Sequence, residues 1–87
     1  MYFVYALYNA DNKKIYVGQT LDLTTRVYEH NNHVHSRSYT SRFSGEWKLF
    51  YQEEFSSREE ALKRERQLKS YRGREFLKRQ VLLDIPL

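Results

Sequence analysis

The chain has no cysteine, one proline and three glycines among its 87 residues. Without cysteine there is neither a disulfide framework nor a thiolate zinc site, so the fold must rest on packing and hydrogen bonding. No apolar run approaches the roughly 20 residues of a membrane span. No signal-peptide pattern opens the sequence, which goes straight into Met1-Tyr2-Phe3-Val4-Tyr5. These absences predict a soluble, cytoplasmic protein with no membrane partner. At this length residues 1–87 are expected to form one domain with a thin core, a monomer or weak dimer.

What is present is aromatic and basic. Eight Tyr, five Phe and one Trp must fill that core. The net charge is +4 and its excess is local: Arg58 to Arg79 holds six Arg and three Lys against four Glu. Arg37 and Arg42 add to it from a Ser-rich stretch. Such a patch is the electrostatic footprint of a phosphate-backbone binder, although a pair of solvated helices has the same composition.

Two alternating segments, Tyr2 to Tyr8 and Lys14 to Gln19, read as a β-hairpin around turn chemistry at Asn9 to Asn12. Thr20 or Asp22 can cap a helix from about Leu23 to Asn31. Residues 31–45, rich in Asn, His, Ser and Thr, read as a mobile loop. Trp47, Leu49 and Tyr51 alternate with Lys48, Phe50 and Gln52 in a third strand ending near Phe55. Ser56 with Glu59 and Ser57 with Glu60 form overlapping capping boxes for a helix to about Ser70. Gly73 is expected to break the pattern, with a last helix over 74–83 that turns Phe76, Leu77, Val81 and Leu82 inward and stops at Pro86. The order is β-β-α-β-α-α: an α+β fold with a small three-stranded antiparallel sheet flanked by helices.

The pleat puts Phe3, Tyr5 and Leu7 on one face of the first strand, and Lys14, Tyr16 and Gly18 on one face of the second. Two phenols can thus meet at one place, with Gly18 leaving room for a ligand near the backbone. Arg26 and His30, at i and i+4, point the same way from the first helix. A guanidinium fork suits a phosphate, and imidazole titrates near neutral pH. Surface pairing of Arg26 with Glu29 or Asp22, and a helix-end His30 favoured by the macrodipole, are the plainer readings. Glu65 stands in the row Ala61, Glu65, Leu68 that is otherwise the buried stripe of its helix. A carboxylate there either reaches a cation or lies at the stripe's edge and pairs with Lys69.

In order along nearly the whole chain, these features resemble the GIY-YIG endonucleases. Val4-Tyr5-Ala6 and Tyr16-Val17-Gly18 stand at the two tyrosine tripeptides. Asp22-Leu23-Thr24-Thr25-Arg26, followed by His30, resembles the arginine helix, and the stretch from Ala61 to Lys69 resembles the helix bearing the metal-binding Glu. In particular the chain resembles the short stand-alone members, akin to the nuclease domain of the DNA-repair protein UvrC. The resemblance implies hydrolysis of phosphodiesters in DNA, with RNA the alternative polymer. Tyr5, Tyr16, Arg26, His30 and Glu65 would be catalytic, with one Mg²⁺ or Mn²⁺ on Glu65. Tyr16 is the first choice for general base and His30 its rival, since a free phenol has a pKa of about 10. Arg37, Arg42, Arg64, Arg66, Lys69, Arg72 and Arg74 would contact phosphates without reading sequence, and Tyr39, Phe43 or Tyr71 would stack on an unpaired base. The family's Asn after the Glu is missing, since no Asn follows Asn32, and Gln19 stands where Lys is frequent. A nucleic-acid-binding module with weak or no turnover is therefore the alternative, and a protein-interaction domain a third.

Overall fold

The computed structural model describes residues 1–34 and 37–84, the last two by backbone only. Three strands, β1 (Tyr2–Asn9), β2 (Lys14–Thr20) and β3 (Trp47–Phe55), form an antiparallel sheet in the order β2-β1-β3. Helix α1 (Leu23–Asn31) follows the hairpin, and α2 (Arg58–Lys69) and α3 (Tyr71–Asp84) follow β3. The expected α+β order is the observed one.

Local chemistry explains the boundaries. Asp22, not Thr20, caps α1: its carboxylate accepts from the Thr25 N–H at 3.1 Å, while the Thr20 hydroxyl accepts from the Asp22 N–H. Ser57, not Ser56, caps α2 by accepting from the Glu60 N–H. Strand β1 is central, and its alternation splits the core in two. Val4 and Ala6 pack with Val17, Ala61, Leu68 and Leu77 beneath α2 and α3. Tyr5 and Leu7 pack with Trp47, Tyr16, Leu23 and Val27 beneath α1.

Four expectations are corrected. Strand β3 does not alternate throughout: a register shift between Ala6 and Leu7 pairs Tyr51 with Ala6 and Leu49 with Leu7. The extra residue reverses the pleat, so Trp47 lies in the α1-side core and Tyr51 in the α2-side core. Gly73 breaks nothing; the helices part at Ser70, and Gly73 lies inside the first turn of α3. Leu82 is turned outward, at 62% exposure. The stretch before β3 is not a featureless loop: Thr40–Arg42 makes a 3₁₀ turn, and the Asn9 and Asn12 side chains both donate to the Ser44 carbonyl. Pro86 lies outside the described residues.

Candidate active site

Tyr5, Tyr16, Arg26 and His30 come together on the α1 side of the hairpin. The register sets Tyr5 opposite Gly18, one pleat from Tyr16. The space at Gly18 serves the tyrosines, because a Cβ there would lie 2.8 Å from the Tyr5 hydroxyl and 2.9 Å from the Tyr16 ring. That replaces the sequence-based expectation of room for a ligand with room for the site's own side chains.

His30 closes the cluster from the end of α1. It is buried, its Nε2 lies 2.8 Å from the Tyr5 hydroxyl, and its ring centroid lies 4.8 Å from that of Tyr16. The plain helix-end reading of His30 is thereby set aside. Its Nδ1 meets the hydroxyl of Thr40 at 2.7 Å. Thr40 is fully buried, and its carbonyl accepts from the Trp47 indole at 3.1 Å. Sequence reading passed over Thr40, because a threonine in a Ser-rich stretch carries no periodic signal.

Burial pushes the Tyr5 hydroxyl far above the ordinary phenol value, and Tyr16 adds to the shift; the Arg26 guanidinium beside it pulls the other way without cancelling it. Partial burial works against the charge on Arg26, but its interactions with Tyr5, Glu29 and Tyr16 outweigh this and raise its pKa. Arg26 also pairs with Glu29 at 3.3 Å, yet remains 27% exposed and accessible to a ligand.

The Tyr5 shift has a consequence for stability. An unfolded tyrosine ionises near pH 10, while folded Tyr5 does not until higher pH. Stability from this group is therefore intact below about pH 10 and lost as the pH rises beyond it, by at most about 1.4 kcal/mol per pH unit. Melting temperatures from pH 8 to 11 should fall more steeply in wild type than in Tyr5→Phe. Parallel slopes would contradict the assignment.

Glu65 is not in this cluster. It lies on α2, across the sheet, with its side chain 17% exposed and paired with Lys69 at 2.7 Å. Of the two sequence readings of Glu65 the structure shows the pairing with Lys69 along the helix, made by a side chain that is mostly covered. Among the described residues no three His, Asp or Glu side chains gather as a metal cage.

The two sides meet around the edge of β2. A groove of about 850 Å³ runs from Tyr39 and Tyr16 to Lys69. Lys13, Lys14, Arg74 and Lys78 also line it, and none of the described lining residues is acidic. Tyr39 stacks on Tyr16 at 6.3 Å between centroids and is 41% exposed. Arg37, Arg42, Arg66 and Arg72 are exposed. Arg64 is less available, because its Nε donates to both Glu53 carboxylate oxygens, at 2.9 and 3.2 Å. Phe43 packs beside Trp47, and Tyr71 is exposed on α3.

The hairpin thus sets two tyrosines against an Arg/His helix face in a small α+β domain, with a carboxylate-bearing helix beyond. Residues 1–78 match the GIY-YIG catalytic domain model, and the chain belongs to that family of nucleases. UPF0213 proteins from two strains of Staphylococcus epidermidis are 35% identical over 77 residues, covering 88% of this chain and 90% of theirs. The solution NMR structure of a UPF0213 protein from Bacillus halodurans superimposes with a TM-score of 0.53 at 32% identity, covering 99% of this chain and 89% of that one. No helix among the described residues is long and apolar enough to cross a membrane.

Proposed function

We propose that this chain is a metal-dependent endonuclease that hydrolyses phosphodiester bonds in DNA and selects its substrate by structure more than by sequence. The observation that carries the reading is the cluster of buried Tyr5 and His30 with half-buried Tyr16 and Arg26, beside a groove lined by cations. Arg26 would stabilise charge growing on the phosphoryl oxygens, an effect strongest where water is excluded. Tyr5 stays protonated and would orient its partners, with Tyr16 as the first choice for general base. Phosphates would follow Lys13, Lys14, Lys69 and Arg74, and an unpaired base would stack on Tyr39, favouring flaps and single-stranded segments.

A divalent cation fits the residues present in a limited sense. Glu65 is one hard oxygen ligand, and the Gln19 carboxamide oxygen is buried without a hydrogen-bond partner. Gln19 pairs with Val4 next to Val17, and the pleat turns it toward the α2 side of the sheet. Such donors suit Mg²⁺ or Mn²⁺ whose shell is completed by water and phosphate, not an all-protein cage. When bound, the metal supplies Lewis acidity toward a phosphoryl oxygen. The Lys69 ion pair must open for Glu65 to serve it. That pair is the observation favouring the second reading, a nucleic-acid-binding module with little turnover.

Labelled duplex, flap and single-stranded DNA, incubated with Mg²⁺, Mn²⁺ or EDTA, separate the two. Cleavage that requires the metal and prefers the flap or single strand is expected. Salt-sensitive binding to every substrate with no cleavage would overturn the nuclease reading in favour of the binding module.

A further inference from the structure

His30 is buried and held at both ring nitrogens: Nε2 lies 2.8 Å from the Tyr5 hydroxyl and Nδ1 2.7 Å from the Thr40 hydroxyl. A neutral imidazole carries a single N–H, so it donates one of these bonds and accepts the other. Donor chemistry decides which. The Arg26 guanidinium, which can only donate, acts on the Tyr5 hydroxyl, and this favours turning the Tyr5 O–H toward an acceptor. The Nε2 lone pair is such an acceptor, at hydrogen-bonding distance. The ring proton then belongs on Nδ1 and is donated to the Thr40 oxygen. Thr40 can pass its own hydroxyl hydrogen to Ser38 Oγ, 3.3 Å away. The Trp47 indole, bonded to the Thr40 carbonyl, fixes the Thr40 backbone independently of His30.

We propose that Thr40 is a positioning residue of the cleavage site: it fixes His30 as the Nδ1–H tautomer and so keeps Nε2 available as the proton acceptor for the tyrosine pair. The proposal rests on the nuclease reading above. It makes Tyr16 and His30 one unit instead of rival bases. Tyr16 passes its proton to the Tyr5 oxygen as the Tyr5 hydroxyl hydrogen passes to Nε2. The products are a Tyr16 phenolate, Tyr5 still a phenol, and a His30 imidazolium whose Nδ1–H remains on Thr40. The phenolate then takes a proton from the attacking water, and the proton on His30 leaves by the same path to solvent once product departs. Tyr5 never becomes an anion, as its burial requires.

Among the described residues, Tyr5 from β1, Tyr16 from β2 and Thr40 from the 3₁₀ turn meet this ring, with Tyr39 behind Tyr16 and the Arg26–Glu29 pair on α1 itself. Arg26 opposes the imidazolium, and Glu29 and the nascent phenolate favour it. Disturbing the Thr40 bond should therefore move the acid limb of the pH–rate profile.

Long-range ¹H–¹⁵N correlation spectra of the protein without nucleic acid read the tautomer directly. Wild type should show a pyrrole-type Nδ1 and a pyridine-type Nε2. Thr40→Val, which keeps the shape and removes the acceptor, should mix or reverse the two. Thr40→Ser should restore them. In cleavage assays Thr40→Val should lower kcat by about 10²-fold, the lower end of what a positioned base supplies. KM should change little, the acid limb should shift, and Thr40→Ser should stay near wild type. A wild-type ring protonated on Nε2, or a folded Thr40→Val with wild-type tautomer and pH profile, overturns the proposal. If Thr40→Val fails to fold, the wild-type spectrum and Thr40→Ser still decide it. An Nδ1–H ring in a protein that cleaves nothing sinks the nuclease reading while upholding the tautomer.

Discussion

Glu65→Ala should lower metal-dependent cleavage by about 10²–10³-fold, the effect of losing a few kcal/mol of transition-state stabilisation. It should do so while nucleic-acid binding becomes tighter. The opposition follows from the Glu65–Lys69 pair. Lys69 lines the groove beside β2, and half of its side chain is exposed, but its ammonium is held by Glu65 at 2.7 Å. Removing the carboxylate returns that ammonium to the groove. One more neutralised phosphate steepens the dependence of log affinity on log salt by about 0.7–0.9. The stability cost should be small, because a helix pair at i, i+4 whose lysine end is half exposed contributes only about 0.3–0.5 kcal/mol. Single-turnover cleavage and binding titrations across a salt series measure both effects. Wild-type cleavage by Glu65→Ala would remove the metal from Glu65 whatever else the fold does.

The hairpin, α1 and β3 were legible because local rules suffice for them. Alternation marks Tyr2–Asn9 and Lys14–Thr20, and Asp22 is a cap residue directly before the first helical turn. The same rules paired Tyr5 with Tyr16 and Arg26 with His30, since one pleat and one helical turn determine each pair. What escaped depends on surfaces meeting from distant parts of the chain. Thr40 matters because its turn packs where His30 ends α1, a contact ten residues long in sequence and unsignalled by composition. The reversed pleat of β3 arises from a bulge against β1, which no pattern within β3 reveals. Leu82 fits an apolar helical row, yet its side chain stands outside. Glu65 was read correctly as a polar interruption of a buried stripe. That the stripe faces away from the tyrosines depends on α2 crossing to the opposite side of the sheet from α1.

Gly73→Ala should destabilise the fold by about 2–3 kcal/mol, the cost of overpacking a close contact, although glycine to alanine in a helix ordinarily stabilises by up to about 1 kcal/mol. The sign reverses because of what faces this position. Helix α2 ends at Lys69, and the chain turns at Ser70, whose N–H donates to the Gln67 carbonyl at 3.2 Å and whose own carbonyl accepts from the Arg74 N–H at 2.9 Å. That turn folds the start of α3 back on the end of α2. A Cβ on Gly73 would fall well inside van der Waals contact of the Gln67 carbonyl oxygen and the Leu68 Cα. Both are backbone atoms, so no rotamer change can make room. Leu68 is itself buried with Leu77 in the α2-side core, so tilting α3 away would open the packing between them. For a domain of this size the melting temperature should fall by about 10–20 °C. A calorimetric or circular-dichroism melt checks this, and an unchanged or raised midpoint would mean the two helices do not approach so closely. Arg74 and Lys78 ride on the same helix and line the groove, so any tilt that relieves the clash also moves two of its cations. The glycine that looked like a helix breaker is what lets α3 lie close enough to build that wall.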